Sequence, residues 1–528
     1  MTLTYRNSVL LASALATVIA IAQPAPTETG LSSLPTPAAP PPPPPPAPAS
    51  PVADILAAKP PVVPYADPLT LESAMNQALA ANYDVNLQRI TSNSAADNEE
   101  IALSDFDTTL AVSASTGAFV DASGTTSTNP RNESRDSRLS ATQRLSATGA
   151  TVTASGSLAR SERTPSSSLL NPAYNSDVGL AIRQPLLKGA GATINQSALE
   201  RARLGTERAR ADFAAQVFTL VRDVEVAYSN LALAREQVGI RSFSLEVRKK
   251  LLEENTARRD TGVATDLEVL QAEVGVATAA RDLVLARQSA QDREDELQRL
   301  LGRESFENPV GPVALGSSNP PPVDLPASLQ RARANTPEFA SALAAIRQQE
   351  IDVRTAKNAR LPQLDFGVQG GLNDASTRAN ESTSNLWKGD GYSWQMDLSL
   401  SMPWGFREER ARLRQARSNL DREELRRAQI EQQILVSVRV SVRAVETGIE
   451  NLRLSALAAT LAAREYEVEK ARYDSGLSTF RRVQESQDAL DQARLSELQA
   501  KVNLRTAQAN LDRLEGTAPA RYRLSLLP

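Results

Sequence analysis

Asp177-Val178-Gly179-Leu180-Ala181-Ile182-Arg183-Gln184-Pro185-Leu186-Leu187-Lys188-Gly189 changes its period partway along. Val178, Leu180 and Ile182 alternate with Asp177, Gly179 and Arg183, the two-residue repeat of a strand with one apolar face. Pro185 closes that run, and no further proline occurs before position 309. A helical pattern fills the interval from Thr193 to Arg259, which at 67 residues spans roughly 100 Å at the helical rise. Gly262 breaks it, and a return helix reads from Asp266 to Leu301. The mean helix of a compact domain is about 11–12 residues, so the chain is expected to be elongated.

The same object is written twice. A second proline-free stretch runs from 404 to 518, with helices expected over Arg407–Asp474 and Phe480–Glu515. Leu71, Met75, Ala78, Asp84, Val85, Leu110 and Gly117 match Leu325, Leu329, Ala332, Glu338, Phe339, Leu364 and Gly371 at an offset of 254. Pro185, Asn230, Leu231 and Arg235 match Pro403, Gly448, Ile449 and Arg453 at 218, and Arg258, Gly262, Leu300 and Gly302 match Arg472, Gly476, Leu514 and Gly516 at 214. The first fall in offset leaves the first half 36 residues longer between Gly117 and Pro185. A period this long is two copies of one large unit rather than a solenoid. The expected divisions are a signal peptide (1–22), a Pro/Ala-rich disordered spacer (23–66), a first repeat (67–307), a linker (308–324), a second repeat (325–516) and a C-terminal tail (517–528).

In each half, an opening helix (Leu69–Phe106 and Leu325–Ala359) is about half as long as the long helix, and so is the return helix. Stacked end to end, the two short ones would match the long one. The return helix of the second half carries an a/d seam through Val483, Ser486, Leu490, Ala493, Glu497, Ala500, Leu504, Ala507, Leu511 and Leu514. Its many alanines let helices pack side by side as a wall.

Between opening and long helices the period falls to two. Leu110, Val112 and Ala114 form one strand, Leu364, Phe366 and Val368 another, and Trp394, Met396, Leu398 and Leu400 alternate with Gln395, Asp397, Ser399 and Ser401. Apolar on one side and polar on the other, at about membrane length, these fit a barrel with lipid outside and a wet lumen. All three Trp (Trp387, Trp394 and Trp404) cluster here, and such residues gather at headgroup level. Four strands cannot close a barrel, so several chains must share one, and three would give twelve strands. The extra 36 residues hold another alternating hairpin, Leu139–Leu145 and Thr151–Leu158, that either caps the barrel or adds strands to it.

Composition narrows the function. Residues 1–22 read as a secretory signal, with Arg6, an apolar run Val9–Ile21 and Ala20-Ile21-Ala22 as cleavage site. Cysteine and histidine are both absent, which removes disulfides, thiol or imidazole nucleophiles and nearly every zinc site. The formal net charge is -4, with Lys and Arg interleaved among Glu and Asp, so nucleic acid is not an expected partner. Nothing gathers an acid and a base into a pocket; no enzyme, cofactor or metal site is expected.

Leu180 to Gly189, a strand ending in Gln184-Pro185-Leu186 before a long helix, resembles a stretch of the TolC-type outer membrane efflux channel family (outer membrane factors). The duplicated opening helix and the turns Arg258–Thr265 and Arg472–Thr479 resemble it as well. The resemblance implies an α+β membrane protein: a homotrimeric outer membrane β-barrel continuous with a periplasmic α-helical barrel, two structural repeats per protomer. It further implies a passive exit duct of a tripartite efflux or type I secretion system, with outer membrane lipid around it, a periplasmic adaptor (membrane fusion) protein and an inner membrane transporter as partners, and no cofactor. The turns around Arg258, Asp260, Gly262, Thr265, Arg472 and Gly476 would form the periplasmic gate and adaptor-docking tips, and Gln184, Pro185, Gly189 and Pro403 the strand-to-helix junctions. Where the family often places two carboxylates as acidic rings, this chain has Arg482 and Glu485, a mixed ring. For the family's tip lock, Tyr473 and Glu268 are present, but the basic position is Ser478, which leaves a hydrogen bond at most. The alternative is a periplasmic coiled-coil adaptor or structural scaffold, which has no use for two sets of membrane-length strands.

Overall fold

The computed structural model describes residues 68–120, 131–166, 168–316 and 323–522. The expected signal and spacer segments lie outside these, as do residues 121–130 and the end of the expected tail. The first half contains α1 (Leu71–Ala81), α2 (Tyr83–Ser104), β1 (Thr109–Val120), β2 (Arg131–Arg144), β3 (Thr151–Thr164), β4 (Ala173–Pro185), α3 (Ala192–Asn195), α4 (Ser197–Asp260) and α5 (Asp266–Leu300). The second contains α6 (Leu325–Asn335), α7 (Pro337–Asn358), β5 (Gln363–Ser376), α8 (Ala379–Asn385), β6 (Tyr392–Ser401), α9 (Arg407–Asp474), α10 (Phe480–Glu515) and α11 (Ala518–Arg521).

The helices form one layer of four columns. α4 packs on α2 and α5 along one side and on α7 and α10 along the other; α9 packs on α6, α7 and α10. At 64 and 68 residues, the two long helices run roughly 95–100 Å. Each pair of short helices does stack into one column, through a joint the sequence reading missed. The opening helices, expected to be continuous, break at Asn82 and Thr336. Asn82 leaves the helical region (ψ 129°), caps α2 by accepting from the amides of Asp84 and Val85, and donates to the Leu300 carbonyl at 3.0 Å. At the matching joint Thr336 Oγ1 donates to the Leu514 carbonyl at 3.2 Å and Asn335 Nδ2 to that of Glu515 at 3.1 Å. An unbroken helix would leave those end carbonyls of α5 and α10 without donors. Pro337 at N1 and the Asn and Thr caps were the available signals. The first long helix also begins later than expected, at Ser197, behind the one turn of α3.

Three buried clusters hold the layer. One joins α1, α2, α4 and the end of α5 through Met75, Val85, Val217, Leu231 and Leu297; another joins α6, α9 and α10 through Ala332, Val438, Val445 and Leu504; the third lies near the tips. Seam residues Val483, Leu490, Ala500 and Leu504 are fully or nearly buried, as is Val276 on α5. The two outer columns are bare on their free sides. Leu87, Ile90, Leu270, Val274 and Val284 are exposed on α2 and α5, and Val436, Leu454, Leu461 and Val468 on α9.

The strands make one antiparallel sheet in the order β1-β2-β3-β4-β5-β6. The additional hairpin, left open by the sequence, lies in the sheet between β1 and β4 and brings the strands to six. β1 pairs with β2 over its whole length, from Thr109↔Thr142 to Val120↔Arg131, and β3 pairs with β4 from Thr151↔Arg183 to Ser161↔Ala173. Strand β5 runs on to Ser376, and α8 follows it.

Candidate functional site

The register carries one apolar face across all six strands. Val112 lies opposite Leu139, Ala154 opposite Leu180, Ile182 opposite Val368, and Val368 opposite Met396. Leu110, Val112, Leu139, Leu180, Met396, Leu398 and Leu400 on this face are all exposed, Val112 at 80%. Trp394 sits toward the sheet end far from the helices, whereas Trp404, 97% exposed, follows β6 at the helical end. Exposed apolar area of this extent needs a non-aqueous neighbour, and among the described residues no helix is long and apolar enough to cross a membrane. The opposite face carries Ser113, Arg138, Asp177, Gln369, Gln395 and Ser399. Here Arg183 lies 3.9 Å from the Asp365 carboxylate and 4.0 Å from that of Asp397.

The strand-to-helix junction is clamped by Asn195. It accepts from Arg144 Nη2 at 2.6 Å and donates to the carbonyls of Gly189 and Gly191, both at 2.8 Å. Gln184 Nε2 donates to the Thr148 carbonyl at 3.0 Å, and the Gly189 amide to Asn358 Oδ1 at 2.8 Å. Pro185 is the last residue of β4, and Pro403 precedes Gly405 and Phe406, both at positive φ, at the start of α9.

At the opposite end of the helices, the first tip closes locally. Gly262 (φ 77°) lets the amides of Val263 and Ala264 turn back to the Arg258 carbonyl. Thr265 caps α5, and Glu268 completes a capping box by accepting from the Thr265 amide at 2.9 Å. Asp260 pairs with its neighbour Arg259 at 2.7 Å.

The second tip has the same turn at Gly476 (φ 75°), with the Leu477 amide donating to the Arg472 carbonyl at 2.8 Å. Its next helix lacks the box. Thr479 makes no side-chain cap bond, and Arg482, which stands where Glu268 stands in the first, has no acceptor to offer the Thr479 amide. Contacts to the first half replace it. Tyr473 is 7% exposed, donates its hydroxyl to Asn255 Oδ1 at 3.1 Å and lies under the Arg258 guanidinium, 4.4 Å from the ring centre. Phe480 and Val483 pack with it against Leu251, Leu252, Val269 and Val276. Burial pushes the Tyr473 phenol above its ordinary value, and Arg258 partly offsets this.

Tyr473, Glu268 and Ser478, which could share at most a hydrogen bond, each have another partner. Tyr473 bonds to Asn255, Glu268 is occupied by its own capping box, and Ser478 turns to Glu469, which also faces Arg472 at 3.5 Å. Arg482 is exposed, and Glu485 accepts from Arg481 at 2.8 Å instead of pairing with Arg482. Asn255 and Glu469 escaped the sequence reading because each is an ordinary polar residue within a helix; only the approach of α9 to α4 gives Asn255 its role. Val263 and Leu477, equivalent in the two tips, are exposed at 76% and 72%.

Two curated relatives, the pyoverdine export outer membrane proteins OpmQ of Pseudomonas putida and Pseudomonas aeruginosa, are each 28% identical to the chain, over 321 and 305 residues. These alignments take in 58% and 56% of this chain and 66% and 62% of the relatives, so the chain spans a little under two thirds of their length. Among solved structures, the outer-membrane channel OprN matches with a TM-score of 0.65 at 19% identity, covering 85% of this chain and 90% of its own. The Campylobacter jejuni CmeC outer membrane channel gives 0.65 at 17%, covering 85% and 86%. The Neisseria gonorrhoeae MtrE outer membrane channel in its open state gives 0.63 at 17%, covering 85% and 89%. The fold is therefore that of these channels: a strand segment continuous with long paired helices. The family profile matches residues 141–303 and 328–517, more than half of the sequence, and on that ground the chain belongs to the outer membrane efflux protein family.

Proposed function

We propose that this protein is the outer membrane exit duct of a tripartite efflux or secretion assembly, a homotrimer conducting substrates by diffusion from an inner membrane transporter and a periplasmic adaptor to the exterior. One observation carries the reading: a lipid-type sheet face is joined, through the Asn195 clamp, to a helical layer roughly 100 Å long whose two flanks are both apolar and bare. Flanks of that kind are buried when copies close into a tube, and the two sheet edges are paired by the same closure. With four columns and an even number of strands per copy, three copies make a ring of twelve columns. The two halves are read as copies of one ancestral unit, whose matching tips face the periplasm. Val263 and Leu477 offer an adaptor apolar contact there, beside Arg258, Asp260, Arg472 and the mixed Arg482 and Glu485 positions at the entrance. The names of the two curated relatives favour a small molecule as cargo over a protein.

Native mass measurement of the detergent-solubilised protein and conductance in planar bilayers test this together. Trimers that open ion-conducting pores are expected. Monomers, or trimers that never conduct, would overturn it. A scaffold would leave the membrane with carbonate, whereas the duct requires detergent.

A further inference from the structure

We infer that the outer membrane wall of this protein is an eighteen-stranded barrel, six strands from each of three chains, and that the β2–β3 hairpin is part of that wall. The inference rests on the trimeric reading above. It fixes what the sheet edges meet: β6 of one copy pairs with β1 of the next.

Four observations support it. First, the hairpin is continuous with the sheet along its full length; among the described residues, β2 is the only neighbour of β1. A hairpin standing off as an external cap would strip β1 of that ladder, and backbone left unpaired in lipid has no water to bond instead. Secondly, the face phase is unbroken. Leu139 and Ala141 on β2 and Val152, Ala154 and Leu158 on β3 fall on the same side as Val112 and Leu180, while Arg138, Ser140 and Ser155 fall on the side of Asp177 and Arg183. Thirdly, the turn between β2 and β3 is short and lies at the helical end, where Arg144 reaches Asn195 and the Thr148 carbonyl accepts from Gln184 and Gly191. Short turns belong to the periplasmic rim of such barrels. Fourthly, with an even number of alternating strands, β1 and β6 run in opposite directions, so β6 of one copy and β1 of the next meet antiparallel with apolar faces aligned.

Strands about 4.8 Å apart and tilted by about 40° give a wall roughly 36 Å across for eighteen strands, against roughly 24 Å for twelve. A ring of twelve helical columns spaced by about 9 Å is roughly 34 Å across. The exit would then meet the tube with little taper, and bulky solutes that pass the helical tube would meet no narrower collar in the membrane.

The sequence has no cysteine, so single reporters can be placed cleanly. Leu139→Cys, Ala154→Cys, Ser140→Cys and Ser155→Cys, with Val112→Cys and Leu398→Cys as wall references, are labelled with a bimane fluorophore and reconstituted as trimers in vesicles with brominated acyl chains. Severalfold quenching is expected at positions 139, 154, 112 and 398, with less than a twofold change at 140 and 155. If 139, 140, 154 and 155 all stay bright while 112 and 398 are quenched, the hairpin lies outside the membrane and the eighteen-stranded wall is refuted, yet the duct survives. Equal quenching at all four hairpin positions also refutes the wall. Loss of quenching at all six sinks the membrane reading itself.

Discussion

The two helical tips share a turn and differ in what closes it. At the first, Thr265 and Glu268 satisfy each other three residues apart, so the helix start is complete without help from the other half. At the second, the acid is replaced by Arg482, a donor that cannot accept from the Thr479 amide, and closure depends on Tyr473 reaching Asn255 and lying under Arg258. A locally closed turn keeps its shape when neighbours move; one closed by a partner helix changes when that helix does. The second tip is therefore the one whose geometry reports the relation between the two helical pairs.

The sharpest way to break this contrast is Tyr473→Ala. It should cost about 3–5 kcal/mol, as large aromatic truncations in cores do, and hydrogen exchange should rise at residues 470–482 much more than at 258–270. Equal loosening of both tips would remove the distinction. Tyr473→Phe keeps the ring but leaves the buried Asn255 oxygen without its donor, for about 1–3 kcal/mol, confined to the same segment. The phenol gives a pH test. An exposed tyrosine ionises near 10 and burial holds Tyr473 above that. The loosened state thus releases its proton first, and the contact's contribution is full below about pH 10 and declines as pH rises further. With the intrinsic base-catalysed rise in amide exchange divided out, protection at the second tip should fall there while protection at the first tip stays constant, and Tyr473→Phe should abolish the fall.

Smaller effects separate the caps. Thr265→Ala should cost about 1 kcal/mol by opening the box, read as faster exchange at the start of α5. Thr479→Ala, with no side-chain cap bond to lose, should stay within about 0.5 kcal/mol. The finest test restores the missing element: Arg482→Glu should stabilise the start of α10 by about 0.5 kcal/mol through a new box and a favourable charge at the helix N-terminus, and should weaken the dependence on Tyr473 in a double mutant. An additive double mutant would show that the two closures are independent.

Much of this was legible because period is a local property. The a/d seam through Val483, Leu490 and Leu504 located α10 to the residue, and the alternation around Val178 and Met396 located β4 and β6, since which face a side chain takes follows from spacing alone. The same regularity hid the breaks at Asn82 and Thr336, where one residue leaves the helix to meet a carbonyl more than 170 residues away. It likewise hid Asn255 and Glu469, whose partners are set by helix approach. The resemblance to a known family supplied the tips but not their bonding, because Tyr473 meets Asn255 across 218 residues of chain.

The amino-acid sequence by itself determined the element types, the long reach of the helices and an apolar strand face, each being a matter of period, proline placement and residue chemistry within one segment. Only the tertiary structure decided that β2 and β3 stand between β1 and β4, that the short helices join at Asn82 and Thr336, and that Tyr473 rests on Asn255. These are pairings between segments far apart in the chain, chosen by hydrogen-bond register and packing that no local pattern encodes.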